Sequence, residues 1–165
     1  YSIIDKSRNM KMPFNGMSLM DYAVNTSLAI SNIILRKHDR AGLITFSDKI
    51  GIVIKADKKP TQLNKILSAL YKEKSGQLES DYELLYYASR KLINRRSLLL
   101  LYTNFESRFS LERVLPILRR INKFHLLVVV IFENTEIKSF VDQEKKDHIL
   151  SNQTSTVRIL FIVSS

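Results

Sequence analysis

Asp5, Ser7 and Asn9 stand at every second position directly after the apolar residues Ile3 and Ile4. Three small oxygen-bearing side chains in such a row can turn the chain through Asx-type hydrogen bonds. They can equally converge on a ligand. In an extended segment, residues i, i+2 and i+4 point the same way. Two further stretches offer the same chemistry: Ser80 with Asp81, and Thr103, Asn104 and Glu106. Every one of these side chains presents oxygen. Hard divalent cations such as magnesium take about six oxygen ligands, some of them water. Ser80 and Asp81 have a second reading, as the N-cap of the helix that follows.

The elements that must position these residues follow from periodicity. Residues 2–4 read as a strand stub and 5–17 as a loop, broken by Pro13, Asn15 and Gly16. Ser18 and Asp21 form an approximate capping box. Met20, Ala23, Val24, Ser27, Leu28, Ser31, Ile34 and Leu35 then recur at helical spacing. AGLITF (41–46) and IGIVIKA (50–56) are strands joined by a short turn. Pro60 starts a helix with Leu63, Ile66, Leu67 and Leu70 on its apolar face. Tyr82–Leu92 is a helix, and 97–103 a buried strand. Leu111–Ile121 is a helix that Pro116 should strain or bend. Residues 125–132 form a strand, 136–148 a short helix, and 156–165 a strand of undetermined place. Tyr82, Tyr86 and Tyr87 read as packing residues, and His38 and His125 as structural; His148 lies in a polar tail.

Strands that are apolar throughout and alternate with helices predict a mostly parallel sheet covered on both faces. The short 46–51 connection adds one antiparallel edge strand. The fold class is therefore a doubly wound, Rossmann-like α/β domain, whose ligands bind beyond the carboxyl ends of the strands. The segments 5–17, 103–109 and 133–136 leave those ends, and 75–81 reaches the same rim. All the oxygen-bearing residues above lie in the first, second and fourth of these segments.

Composition sets the outer bounds. The 165 residues are 45% hydrophobic and 25% charged, which fits one globular domain. There is no cysteine, so disulfides, thiolate chemistry and Cys-based zinc sites are excluded. The longest apolar runs fall short of the roughly 18–20 residues of a membrane span. The chain opens with Tyr inside a strand, which predicts a piece of a longer protein with an anchor or domain upstream.

DKSRN (5–9), ESDYELL (79–85) and LYTNFES (101–107) together resemble the metal-ion-dependent adhesion site of von Willebrand factor type A domains. That family carries an Asp-x-Ser-x-Ser loop, a Thr from a second loop and an Asp after its fourth strand. HDRAGLITFSDKIGIVI, LNKILSALYKEKSGQLESDYELL and RRSLLLLYTNF are similar to the bacterial branch named domain of unknown function number fifty-eight. The likeness covers about residues 2–140. It implies a domain over 1–142 and an atypical tail over 143–165. It also implies a non-catalytic adaptor that works with a MoxR-type AAA+ ATPase in the cytoplasm. The implied metal ligands are Asp5, Ser7, Asn9, Ser80 and Asn104, with Asp81, Thr103 and Glu106 around them. Asn9 and Asn104 replace a Ser and an Asp of the pattern, and Ser80 replaces a Thr. Asp5 alone among the matched ligands is charged, so magnesium or manganese should bind weakly. An alternative is a metal-dependent phosphohydrolase of haloacid-dehalogenase type, which also places an Asp after its first strand. That chemistry needs a second carboxylate two residues on, where Ser7 stands, and no Gly-rich phosphate loop is present.

Lys and Arg number 26 against 16 acids, a net charge of +10. The basic residues cluster as Arg36-Lys37, Lys72 with Lys74, Arg90-Lys91 with Arg95-Arg96, and Arg119-Arg120 with Lys123. Each cluster follows a predicted helix, where cations complement the macrodipole. They should share the face opposite the strand carboxyl ends. That face predicts either helix capping alone or docking to an anionic membrane surface or acidic partner at the inner face of a membrane. Aromatics are not interleaved with the clusters in sequence, so nucleic acid is disfavoured.

Overall fold

The computed structural model describes residues 1–14, 16–73, 76–132 and 157–161, with side chains of 14, 132 and 157–161 left aside. The expected loop at 133–136, helix at 136–148, boundary at 142/143, His148, Asn15 and Lys74 lie outside the described residues.

Among the described residues six strands form one sheet, in the spatial order β5 (Ile50–Asp57), β4 (Ala41–Phe46), β1 (Ser2–Asp5), β6 (Leu98–Tyr102), β7 (Leu126–Phe132) and β8 (Val157–Phe161). Four run parallel: β1 (Ser2–Asp5), β4 (Ala41–Phe46), β6 (Leu98–Tyr102) and β7 (Leu126–Phe132). β5 (Ile50–Asp57) pairs antiparallel with β4, as its short connection requires. The place of the C-terminal strand, open in the sequence, is now fixed. β8 (Val157–Phe161) pairs antiparallel with β7 at the opposite edge. The doubly wound, mostly parallel architecture is as expected.

Successive strand residues serve opposite faces, which is why the strands are apolar throughout. Ile3, Ile44, Leu101 and Val129 are buried with α3 (Tyr82–Leu92) and α4 (Arg108–Asn122) on one side. Ile4, Leu43, Tyr102 and Val130 are buried with α1 (Leu19–Arg36) and α2 (Gln62–Tyr71) on the other. Burial pushes the Tyr102 phenol up to about 12.

The Ser18–Asp21 capping box forms in both directions: Asp21 N–H donates to Ser18 Oγ (3.2 Å), and Ser18 N–H to Asp21 Oδ2 (2.9 Å). Three local expectations change. α2 begins after Pro60 and Thr61, and its buried stripe is Gln62, Ile66 and Leu70; Leu67 is 49% exposed. The Gln62 amide donates to the Ala41 and Lys55 carbonyls (2.8 and 2.9 Å), so a polar residue holds a core position. α4 starts a turn earlier than its apolar pattern, because Ser107 caps it by accepting from Ser110 N–H (3.3 Å). The helix continues through Pro116.

The loop after β1 is not extended. It folds into a 3-10 turn, Arg8–Lys11, and a small hairpin of β2 (Pro13–Phe14) and β3 (Met17–Ser18). Gly16, at φ +86, supplies the left-handed residue of that hairpin.

Candidate metal centre

The strand order changes direction between β1 and β6. The chain leaving β1 passes to α1 on one face, and the chain leaving β6 passes to α4 on the other. Such a switch point opens a crevice at the strand carboxyl ends. Asp5 ends β1 and Thr103 follows β6, so the two flank it.

Asp5 is 1% exposed, and its carboxylate is fully engaged. Oδ1 accepts from Ser7 N–H (2.7 Å) and from the Ser80 hydroxyl. Oδ2 accepts from the Thr103 hydroxyl (2.6 Å) and lies 3.3 Å from the Tyr82 hydroxyl. Tyr82 OH is also 2.7 Å from Thr103 Oγ1. Thr103 gives its one proton to Asp5, so the tyrosine donates to it. Burial first, and then the Asp5 charge, raise the Tyr82 phenol well above its ordinary value, which keeps it a donor. The ion pairs of the described residues leave Asp5 out.

Three other oxygens at this place are buried with no hydrogen-bond partner among the described residues: Ser7 Oγ, Asn9 Oδ1 and Asn104 Oδ1. They line one small cleft of about 50 Å³ with Asp5 and Ser80. Asn9 reaches it from the 3-10 turn, not by strand alternation. Thr103 lies beneath the cleft, as a donor to Asp5. Glu106 lines the cleft at the mouth, 3.5 Å from Arg8. Asp81 does not join them: its carboxylate caps α3 by accepting from Leu84 N–H (2.9 Å). The N-cap reading thus holds for Asp81, while Ser80 turns to Asp5.

Backbone contacts bring the second loop to the first. Arg8 N–H donates to Leu78 O (3.1 Å), and Gly76 N–H to Lys6 O (2.5 Å). A Cβ on Gly76 would come within 3.0 Å of the same carbonyl, so glycine permits the approach. Asp81 N–H donates to Ser47 O (2.9 Å). Lys6 meets Glu73 at 2.9 Å, and Glu73 also accepts from Thr45 (2.8 Å).

The donor set suits a hard cation, because every unpartnered atom is an oxygen. It is poor in charge. Among the described residues no three Asp, Glu or His side chains group at metal-ligating spacing. Sequence reasoning missed Tyr82, assigned to packing alone. Its ring does pack, edge-on to Phe46 (5.5 Å) and stacked on Phe105 (6.0 Å). Its position next to the Ser80–Asp81 loop was the available signal.

The basic clusters distribute differently from expectation. Arg36-Lys37, Arg90-Lys91, Arg95-Arg96 and Arg119-Arg120 lie at the amino end of the parallel strands, where α1, α3 and α4 finish. Lys72 does not. β5 runs antiparallel, so α2 runs the opposite way and ends at the carboxyl rim. Two arginines of the face are held down. Arg90 sits 4.2 Å over the Phe124 ring, and Arg120 sits 4.0 Å over Tyr86 while pairing with Glu83 at 2.7 Å. Bonds from Arg90, then Arg120, lower the Tyr86 phenol. Aromatics and basic residues do therefore interleave in space there, though not in sequence.

No protein-family model and no curated protein sequence matches the chain. Among solved structures, it is similar to the crystal structure of the SpRpn10 VWA domain. The two are 16% identical over 86% of this chain and 78% of that one, with a TM-score of 0.58. The likeness establishes the fold, a Rossmann-like von Willebrand type A arrangement. It does not reach the bacterial branch associated with MoxR-type ATPases. No helix of the described residues is long and apolar enough to cross a membrane.

Proposed function

We propose that the chain is a non-catalytic protein-interaction module whose working face is the carboxyl rim of the sheet. Asp5, Ser7, Asn9, Ser80 and Asn104 would hold magnesium or manganese there. The observation that carries this reading is a buried carboxylate with no ion pair, beside three buried oxygens with no partner. Burying such groups is costly unless something compensates them. A bound divalent cation supplies a Lewis-acidic position for a carboxylate oxygen of the partner. Asp5 supplies the charge, and Thr103 and Tyr82 fix its orientation. Ser80 is the donor that must release Oδ1 if Asp5 is to ligate directly.

The same hydrogen bonds support a non-catalytic role. A carboxylate accepting from three donors, with the Tyr82 hydroxyl 3.3 Å away, is a weak nucleophile, and the position two residues on is Ser7 rather than an acid. A MoxR-type AAA+ ATPase is the proposed partner class, on the resemblance of segments such as RRSLLLLYTNF alone. The amino-end arginines would hold the module at an anionic, cytoplasmic membrane face.

Calorimetric titration with magnesium and manganese tests the site. The expected dissociation constant is on the order of 1 mM or weaker, and Ser7→Ala should abolish the heat. Micromolar affinity would contradict the reading of Asn104 as depleting the charge of the site. No heat at about 20 mM metal would remove the metal from the proposal.

A further inference from the structure

We infer that the amino pole of the sheet inserts into an anionic lipid bilayer, with Leu98, Leu126 and Phe124 entering the acyl region while the cations around them hold the headgroups. This rests on the reading of that pole as facing an anionic membrane and deepens it, because attraction alone leaves the chain outside the acyl region. It requires no metal. Leu98 and Leu126 open β6 and β7 and are register partners, so their side chains stand next to each other on one face of the sheet. They are 44% and 50% exposed, although the residue after each, Leu99 and Leu127, is buried. Phe124 is 41% exposed and lies between α4 and β7, at the same pole.

The charge around these side chains is of one sign. Arg90, Lys91, Arg95, Arg96, Arg119 and Lys123 are exposed, and they end α3 and α4 or precede β6 and β7. None of the six is in an ion pair among the described residues. The sequence gives the reason: no Asp or Glu occurs from residue 84 to 105 or from 113 to 132. The other pole differs, since Glu79 meets both Arg8 and Arg113 there. Leu and Phe side chains set among Lys and Arg are the composition of an interfacial membrane contact. The cations reach headgroup phosphates on stems that lie along apolar surface, as Arg90 already lies over the Phe124 ring at 4.2 Å. Salt screens the charge attraction, but it does not screen the removal of apolar surface from water. Two aliphatic side chains offer no face on which a base can stack, which sets this surface apart from one for single-stranded nucleic acid.

The chain has no tryptophan, so Phe124→Trp introduces a single fluorescent reporter. Vesicles of phosphatidylcholine and phosphatidylglycerol in equal parts should shift its emission to the blue, and brominated acyl chains in them should quench it. Vesicles of phosphatidylcholine alone should do neither. In co-sedimentation with the mixed vesicles, Leu98→Ser combined with Leu126→Ser should lower the partition coefficient about tenfold or more. Phe109→Ser, which removes an apolar side chain 75% exposed at the opposite pole, should leave it unchanged. Unchanged thermal melting checks that the leucine variant folds, and the indole readout does not depend on that variant. Vesicle binding with an unquenched indole, or with both leucines dispensable, overturns the insertion and leaves the electrostatic reading standing. Quenching that survives Arg95→Glu with Arg96→Glu keeps the insertion while the electrostatic reading fails. Absence of binding to the mixed vesicles, or tighter binding to a labelled single-stranded oligonucleotide than to them, overturns both.

Discussion

Asn104→Asp restores a charge at a buried, unpartnered oxygen, and its consequences can be worked in both directions. Without metal, a second carboxylate stands near Asp5 in a cleft that contains Asn104 Oδ1 with no partner. An uncompensated buried charge costs about 3 kcal/mol or more, so the variant should be less stable than the parent. With metal, the added ligand charge tightens binding. Taking the parent at about 1 mM, about 10 mM magnesium stabilises it by roughly 1.4 kcal/mol through RT ln(1 + [L]/Kd). A twentyfold tighter site, about 0.05 mM, gains roughly 3.1 kcal/mol under the same condition. With a urea m-value of about 2 kcal/mol/M, the midpoint shifts are about 0.7 M and about 1.6 M. The assay is urea denaturation with and without magnesium chloride, ionic strength matched with potassium chloride. Equal shifts in parent and variant would refute the placement of Asn104 at a cation site. So would a variant that is no less stable than the parent in the absence of metal.

The other expectations concern separate parts of the molecule. Tyr82→Phe keeps the ring contacts with Phe46 and Phe105 but removes the donor to Thr103, and should cost about 1–2 kcal/mol. Tyr82→Ala should cost about 3–5 kcal/mol; a urea midpoint unchanged by Tyr82→Phe would mean that the hydroxyl contributes nothing. Reversing Arg95 and Arg96 together should weaken binding to anionic vesicles far more than reversing Lys49 and Lys72, which lie at the other pole. That binding should decline with salt as the Debye length falls from about 10 Å at 0.1 M to about 3 Å at 1 M. A chain that ignores such vesicles at low salt leaves the basic face with helix-end electrostatics alone. His125 is buried, and burial first, with Arg96 adding to it, lowers its pKa from 6.5. The unfolded chain therefore takes up this proton first. The contribution to stability is whole above pH 6.5 and is lost as pH falls from there through the folded pKa. His125→Gln should flatten the dependence of the urea midpoint over that window, and an unchanged slope would count against the assignment.

Much of this was legible because it is local. The capping box at Ser18 and Asp21 needs four residues. The doubly covered sheet shows in strands with no polar alternation. The convergence of Asp5, Ser80 and Asn104 followed from one topological rule, that these loops leave the same strand ends. What failed was non-local or depended on a direction. Lys72 was assigned to the wrong pole because one antiparallel strand reverses the helix after it. Leu67 was counted as core because an apolar residue at helical spacing looks the same whether or not the sheet reaches it. Alternation sets Asp5, Ser7 and Asn9 along an extended segment, yet Ser7 N–H bonds back to the Asp5 carboxylate and a 3-10 turn follows. The turn reading and the ligand reading of those residues are therefore compatible, because the same Asx contact that bends the chain holds the carboxylate in place.

That contact also bears on why the site holds so little positive charge of its own. Asp5 has a basic residue directly after it and another three positions on, and both are committed elsewhere. Lys6 is paired with Glu73, at 2.9 Å and largely buried, and Glu73 is fixed further by Thr45. Arg8 spans Glu79 and Glu106 at the mouth. Either cation brought against Asp5 would neutralise it and close the cleft. Instead each is balanced by an acid from another loop, and Asp5 is satisfied by neutral donors: one amide and two hydroxyls. Neutral donors orient a carboxylate and lower the cost of burying it without cancelling its charge. The rim is thus arranged so that its one fully buried negative charge faces a cleft lined with unpartnered oxygens, while every nearby cation serves to tie the loops together.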